Sequence, residues 1–205
     1  TGAFFPANGM YGIVKALEQL AIEQGVRFHF NATVSGLRYK KKKITLVESS
    51  VGNFLADVVL SSVDIAHFYR SVLPEKKMLK RIEKRERSSS ALIFYWGVSC
   101  LSSLDLHSIL FSADYMAEFD ALFQKKHFGN DITVYIFISN KVVQSDAPLG
   151  CENWFVMVNA PENVGQDWAA ETAKARSVIL SKISSHLGID VEKHIVKERI
   201  VTPVD

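Results

Sequence analysis

The sequence of 205 residues lacks the short motifs that carry self-sufficient chemistry. It contains no GxGxxG or Walker loop for phosphates, and no GxSxG elbow or S-x-x-K pair for covalent acyl transfer. Its six histidines are scattered, without the paired spacing that metal sites require. The sequence therefore predicts no metal centre, and it leaves the catalytic residues unassigned.

Cysteine, net charge and long apolar runs are also scarce. The two cysteines, Cys100 and Cys151, lie far apart and are typical of thiols in a reducing compartment. A net charge of +2 argues against a nucleic-acid partner. The longest uncharged run, residues 88–104, is shorter than the about 20 apolar residues of a membrane span. We expect a cytoplasmic protein, attached at most peripherally to a membrane surface, and the oligomeric state stays open.

The first part of the chain has the pattern of a loop, a helix and a hairpin. Apolar residues at helical spacing predict a helix that ends near Gly25: Ile13, Leu17, Leu20 and Ala21. The alternation in residues 26–30 predicts a strand, and two apolar runs around Lys40–Lys43 predict a hairpin with a solvated tip or a contact to anionic lipid. The apolar run at 54–61 predicts a strand buried on both faces, as in a parallel sheet, and residues 65–72 predict a short helix.

A charge-dense segment, residues 75–87, separates this part from the rest. Its thin apolar stripe predicts a surface helix that links two regions, and its many basic residues leave a membrane-facing role as the alternative. The chain begins at Thr1 and not at methionine, so we expect a piece of a longer protein.

The second part predicts several strands and two main helices. The strands are expected at residues 91–98, 107–111, 132–139, 154–159 and 195–201, and the helices at 114–125 and 168–187. Asp114, Glu118 and Asp120 form an acidic group on one helix, which capping and solvation explain without catalysis. The expected fold class is α/β to α+β, with a mixed sheet in the first part and a mostly antiparallel sheet covered by helices in the second.

Aromatic residues are unusually dense on the predicted strands. The set comprises Phe94, Tyr95, Trp96, Phe111, Tyr135, Phe137, Trp154 and Phe155. One interpretation is an ordinary core, in which each buried side chain contributes about 1.5–3 kcal/mol. The other is the wall of an apolar tunnel, because strand 91–98 carries bulky residues on both faces.

Several segments, in order, resemble the phytoene dehydrogenase and carotenoid desaturase family. They are residues 5–17 (FPANGMYGIVKAL), 89–98 (SSALIFYWGV), 107–115 (HSILFSADY), 118–120 (EFD), 146–153 (DAPLGCEN) and 201–203 (VTP). The resemblance covers nearly the whole chain. It implies the central portion of an FAD-dependent oxidoreductase related in fold to amine oxidases, with further FAD-binding segments on either side.

The resemblance also implies a division of labour along the chain. Residues 1–74 would belong to the FAD-binding domain, 75–87 to a linker helix and 88–205 to the substrate-binding domain. Residues Thr33, Val34, Ser61 and Ser62 would contact FAD. Substrate would contact Tyr11, Phe94, Trp96, Phe111, Tyr135 and Phe137.

The implied activity is the oxidation of carbon–carbon bonds in a long apolar polyene, with hydride transfer to the flavin. A carotenoid-type substrate requires an apolar channel and a membrane surface. This chain on its own is expected to be inactive. Two alternatives stay open. One is a stand-alone binding module for carotenoids or isoprenoids without redox activity, and the other is a related flavin oxidoreductase acting on an amine or another isoprenoid.

Overall fold

The computed structural model describes residues 4–6, 9–40, 43–85 and 87–205. It divides into two compact units, Thr1–Glu86 and Arg87–Asp205. Part of the opening loop (residues 7–8), the centre of the lysine tip (41–42) and Glu86 lie outside the described residues. The assignment of the two parts to a flavin domain and a substrate domain stays a prediction.

The helices of the first unit follow the predicted pattern. Helix α1 (Tyr11–Glu23) ends before Gly25, whose φ of 83° gives the left-handed C-terminal turn that glycine favours. Helix α2 (Ile65–His67) continues into a π-helical turn, Phe68–Val72, and α3 (Lys76–Glu83) follows. Within the described ranges, no helix is both long and apolar enough to cross a bilayer.

A three-stranded antiparallel sheet completes the first unit. Strands β1 (Val34–Lys40), β2 (Lys43–Ser49) and β3 (Gly52–Leu55) pair in chain order. The predicted hairpin around the lysines is confirmed, because β1 and β2 are its two arms.

Two strand predictions in the first unit are wrong. Residues 26–30 form no strand, and of the run at 54–61 only the first two residues belong to a strand, β3. The side chain of Leu60 is 96% exposed, so this run is not buried on either face. A strand needs a neighbour to satisfy its backbone, and neither residues 26–30 nor residues 56–61 pair with one in the described part of the chain.

The second unit is built on a five-stranded antiparallel sheet. Its strands run in the order β5-β6-β7-β4-β8. They are β4 (Ser90–Val98), β5 (His107–Leu110), β6 (Val134–Ile138), β7 (Glu152–Ala160) and β8 (Ile195–Val201). All five correspond to predicted strands, with shifts of at most a few residues at their ends.

Helices cover one face of this sheet. Helix α4 (Tyr115–Asp120) continues into a π-helical turn, Ala121–Lys125, and α5 (Trp168–Leu187) is the long helix that the sequence predicts. Asp167 caps α5 by accepting from two backbone N–H groups, and Gly188 ends it with a φ of 68°. The α+β class is confirmed, and every strand pair in the described residues is antiparallel.

The core lies between this sheet and α5. Alternate residues of β4, β6 and β7 are buried, and they pack with the apolar stripe of α5. The stripe includes Ala175, Ile179 and Ile183, all fully buried. Because only one side chain in two points into this core, the other half of the sheet residues face away from it.

Candidate functional site: the open face of the five-stranded sheet

The face of the sheet opposite the core carries two rows of mostly apolar side chains. The pairing registers place one row across all five strands as His107, Phe137, Phe155, Tyr95 and Arg199. The second row comprises Ile109, Tyr135, Met157, Ile93 and Val201. Neighbouring strands lie about 4.8 Å apart, so each row is about 19 Å long. We call this surface the open face.

Direct ring contacts make the centre of the open face continuous. The ring centroids of Tyr95 and Phe155 are 5.4 Å apart, and those of Tyr135 and Phe155 are 6.2 Å apart, both in edge-to-face geometry. The His107 ring stacks on Phe137 with a centroid distance of 5.0 Å. Aromatic pairs at these distances fix each other's orientation, so the rings present a preformed apolar surface.

A groove of about 370 Å³ opens on this face. Its lining includes Tyr95, Phe137 and Phe155, with Gly97 as a low point between them. Gly97 lies opposite Asn153 and Lys197, and a Cβ atom there would come within 3.3 Å of the Lys197 side chain. The glycine therefore keeps the floor of the groove flat where three strands meet.

A polar pair interrupts the apolar surface near the β5 edge. The His107 Nδ1 atom and the Tyr135 hydroxyl are 2.8 Å apart, which is a hydrogen bond. Burial raises the pKa of Tyr135, so the phenol stays protonated well above neutral pH.

The structure separates the predicted substrate residues into different environments. Tyr135 and Phe137 lie on the open face, whereas Phe94 and Trp96 are 0% and 2% exposed on the core side of β4. Alternation along β4 turns both side chains toward the core, although Trp96 also contributes to the lining of the groove beside Gly97. Their contact with substrate stays a prediction. Tyr95 takes their place on the open face, and strict alternation from Phe94 was the signal that could have identified it.

The remaining two predicted substrate residues lie elsewhere. Phe111 follows β5, is 67% exposed and contacts Tyr115 edge-to-face at 6.5 Å. That contact joins it to an aromatic series on α4 and the turn after it, which continues through Phe119. Tyr11 belongs to the first unit, where it begins α1 and lies under the Lys15 ammonium at 5.4 Å.

The four predicted FAD-contacting residues share one groove in the first unit. Thr33, Val34, Ser61 and Ser62 all line a groove of about 410 Å³. The rest of the lining is mainly aliphatic and includes Leu37, Val47, Val59, Leu60, Val63 and Val72. The backbone of Thr33 is held in place by Ser50, through hydrogen bonds of 3.0 and 2.9 Å.

The donor set of this groove fits one end of a dinucleotide. Hydroxyls and backbone groups at its rim suit a ribose or an adenine edge, and the aliphatic floor suits a flat ring. The lining contains no lysine or arginine to neutralise a pyrophosphate. The groove therefore fits the adenosine portion of FAD and leaves the phosphates to other residues.

The three carboxylates at and on α4 make structural contacts, but the prediction of capping and solvation holds for Asp114 and Asp120 and not for Glu118, which is buried. Asp114 caps the helix by accepting from a backbone N–H at 2.9 Å, and Asp120 forms an exposed ion pair. Buried Glu118 accepts from the hydroxyls of Ser112 and Thr133, each at 2.7 Å. In the ranges that the structure covers, no cluster of metal-ligating side chains is present.

A second buried carboxylate, Glu152, fixes one end of the sheet. It accepts from the Ser102 backbone and hydroxyl and from the Trp154 indole, and it pairs with Lys141 at 2.6 Å. Burial alone would raise the pKa of Glu152, but these hydrogen bonds outweigh it and lower the pKa. This network was not predictable from the sequence, because Ser102 lies 50 residues before Glu152 along the chain.

The architecture has a counterpart among solved structures. The chain superimposes on an oxidoreductase from Methanosarcina mazei with a TM-score of 0.63, covering 94% of this chain and 42% of that chain. At 14% sequence identity, the likeness defines the fold alone. The protein is thus an α+β chain with that fold and an open aromatic sheet face.

Sequence similarity is more specific, although no protein-family model matches the chain. It is 46% identical over 203 residues to the 1-hydroxycarotenoid 3,4-desaturase of Flavobacterium sp. (strain P99-3), covering 98% of this chain. It is 30% identical over 209 residues to the 4,4'-diaponeurosporene oxygenase of Staphylococcus aureus (strain USA300), covering 100% of this chain. The chain spans 42% of the length of each relative. It belongs to the carotenoid desaturase family.

Proposed function

We propose that this chain is the substrate-binding portion of an FAD-dependent oxidoreductase that desaturates a carotenoid-type polyene. The observation that carries the proposal is the open face, with its two mostly apolar rows and an ordered set of aromatic rings. The relative with 46% identity, named a 1-hydroxycarotenoid 3,4-desaturase, supports the choice of reaction and of substrate class.

A polyene suits this surface for physical reasons. A conjugated hydrocarbon is flat, rigid and apolar, so it can lie on a row of rings without losing much conformational entropy. Each ligand CH₂ equivalent removed from water contributes about 0.8 kcal/mol. The Tyr95 side chain is still 46% exposed, so the face retains apolar surface that a ligand can cover.

The first-unit groove supplies the support for FAD. Thr33, Val34, Ser61 and Ser62 would hold its adenosine portion through hydroxyl and backbone groups. When bound, FAD supplies the acceptor for the two electrons that leave the substrate. The residues of the open face bind and orient the polyene and exclude water, which is consistent with carboxylates that serve structure instead of proton transfer.

Oxygenation of the polyene is the second candidate. The relative with 30% identity is named a 4,4'-diaponeurosporene oxygenase, and it aligns over the whole of this chain. The higher identity to the desaturase favours desaturation. The two reactions have different products, since desaturation adds a conjugated double bond and oxygenation adds an oxygen atom.

A peripheral membrane contact is part of the proposal, because a polyene substrate resides in the bilayer. Helix α3 exposes four basic side chains, Lys76, Lys77, Lys80 and Arg81. Each basic residue near an anionic surface contributes about 1 kcal/mol. We expect the protein to co-sediment with vesicles of phosphatidylcholine and phosphatidylserine. The triple variant K76E/K77E/K80E should lose this co-sedimentation. Lys193→Glu, in the second unit, is the matched control.

The product test uses the complete protein in a bacterial host that accumulates an acyclic carotenoid. Desaturation predicts a pigment that absorbs at longer wavelength and has lost two hydrogens by mass spectrometry. Phe155→Ala should lower carotenoid affinity by about tenfold or more, because it removes the central ring of the open face. Tyr39→Ala, an exposed aromatic of β1, is the control. An unchanged pigment profile together with no carotenoid binding would overturn the proposal.

A further inference from the structure

The polar pair on the open face, His107 and Tyr135, lies among apolar side chains. His107 and Tyr135 are diagonal neighbours on β5 and β6, and their ring planes are nearly parallel, with an interplanar angle of 20°. The 2.8 Å hydrogen bond joins Nδ1 to the phenol oxygen. Around them lie Ile109, Phe137 and Phe155, so the pair forms a polar spot on an otherwise apolar area.

The strands do not need this hydrogen bond to hold their register. Strands β5 and β6 are paired over four residues each, from His107 opposite Phe137 to Leu110 opposite Val134. The pair also leaves hydrogen-bonding capacity unused. In the described part of the chain, the Nε2 atom of His107 has no hydrogen-bond partner, and the phenol oxygen retains a second lone pair.

Because these polar atoms can still form hydrogen bonds, we expect a pure hydrocarbon to bind weakly at the β5 edge. Covering the pair with hydrocarbon would remove its remaining polar atoms from water without a partner, which costs about 1–3 kcal/mol. A hydroxyl group both donates and accepts, so it satisfies Nε2 of His107 in either tautomer.

We propose that His107 and Tyr135 form a recognition site for a hydroxyl group near the end of the polyene. Strand β5 is one of the two edge strands of the sheet, so a ligand that lies along the rows places its end, not its middle, beside the pair. This inference rests on the proposed function. The name of the relative with 46% identity already points to a hydroxylated polyene, and the inference adds the two residues that would recognise the hydroxyl. The opposite edge presents Arg199 and Lys197, whose cations suit a carboxylate better than a neutral hydroxyl.

The experiment compares two probes on the purified complete protein, lycopene and 1-hydroxylycopene in detergent micelles. Affinity is measured from the quenching of protein fluorescence by the polyene. The wild type should prefer the alcohol by about tenfold, the equivalent of one net hydrogen bond. His107→Phe and Tyr135→Phe should bring the ratio close to one, mainly by improving lycopene binding. Tyr95→Phe removes a hydroxyl from the same row without touching the pair, and it should keep the preference.

The outcomes separate the inference from the proposed function. Equal affinity of the wild type for both probes overturns the hydroxyl site and leaves the polyene-binding face intact. A preference that survives in both His107→Phe and Tyr135→Phe places recognition elsewhere and also overturns the site. If the wild type binds neither probe, the proposed function fails as well. Tyr135→Phe removes a single oxygen atom, and its circular dichroism spectrum checks that the fold is retained.

Discussion

The two units of this chain bury their apolar residues to very different extents. The second unit encloses a continuous core between its sheet and α5, including fully buried Phe94, Ile136 and Val156. In the first unit, α1 has the apolar face of an amphipathic helix, yet none of its residues is buried. Among the described residues of the first unit, two are buried: Leu37 and Ala66.

An amphipathic pattern and local hydrogen bonds can therefore set secondary structure where few residues are buried. Helix α1 still begins and ends as predicted, although Leu17 and Leu20 are more than half exposed. Exposed apolar surface of this kind marks places where other parts of a protein pack. The relatives are more than twice as long as this chain, and we expect residues corresponding to their additional length to cover this face.

The two units should differ most in their unfolding when each is produced on its own. Residues 87–205 should unfold in one cooperative denaturant transition, with a free energy of about 5–10 kcal/mol. Residues 1–86 should show no cooperative transition and should bind a hydrophobic dye, because few of their apolar side chains are enclosed. Circular dichroism during urea titration measures both. Cooperative unfolding of 1–86 alone would show that its core is larger than the burial indicates.

The next test uses one pair of matched leucines. Leu92 is 0% exposed in the core of the second unit, and Leu60 is 96% exposed in the first. Leu92→Ala should lower the free energy of unfolding by about 2–5 kcal/mol, from lost burial and the cavity left behind. Leu60→Ala should change it by less than about 0.5 kcal/mol. Similar losses in urea titrations of both variants would contradict the contrast between the units.

The sequence predicted most of the second unit because its local signals agree with its tertiary structure. The stripe of α5, its Asp167 cap and its Gly188 terminus all belong to one continuous segment of the chain, so the sequence pattern alone defines the helix. The strand predictions at 26–30 and 54–61 failed for the opposite reason. Alternation or an apolar run shows that a segment is suited to a sheet, but only a neighbouring strand can make it part of one. The described residues provide no neighbour for residues 26–30 and 56–61.

The site was predictable in composition but not in arrangement. Aromatic density identified the correct strands, and Tyr135 and Phe137 do lie on the open face. The burial of Phe94 and Trp96 was not predictable, because the sequence does not show which face of the sheet α5 covers. The hydrogen bond between His107 and Tyr135 spans 28 residues and depends on the register of β5 and β6.

A third test contrasts the carboxylates of the two units. Glu152→Gln replaces a buried charge that pairs with Lys141 and accepts from Trp154, so it should cost about 1–3 kcal/mol. Glu48→Gln breaks the pair with Arg38, whose side chain is 72% exposed, and should cost less than about 1 kcal/mol. Urea titration at neutral pH measures both. An equal cost would show that the burial of Glu152 has no energetic effect.

The same substitution has a pH signature with a definite sign. The folded pKa of Glu152 is lowered, so its stabilisation is complete above the unfolded value of about 4.3 and is lost as the pH falls through the folded pKa. Stability should therefore fall less steeply in acid for Glu152→Gln than for the wild type. An identical acid slope would mean that Glu152 has the same pKa in both states.

The smallest effects concern helix caps, where the two units offer the same residue type. Asp167 accepts from two backbone N–H groups at the start of the 20-residue helix α5, and Asp64 accepts from one, His67, at the start of α2. Asp167→Ala should lower the free energy of unfolding by about 1 kcal/mol, since it leaves two N–H groups without their acceptor. Asp64→Ala should have a smaller effect on the main transition, because α2 belongs to the unit with few buried residues. Hydrogen exchange distinguishes the two, with loss of protection throughout α5 in the first variant and a change confined to residues near α2 in the second. Global loss of protection in Asp64→Ala would show that the first unit takes part in the same cooperative transition as the second.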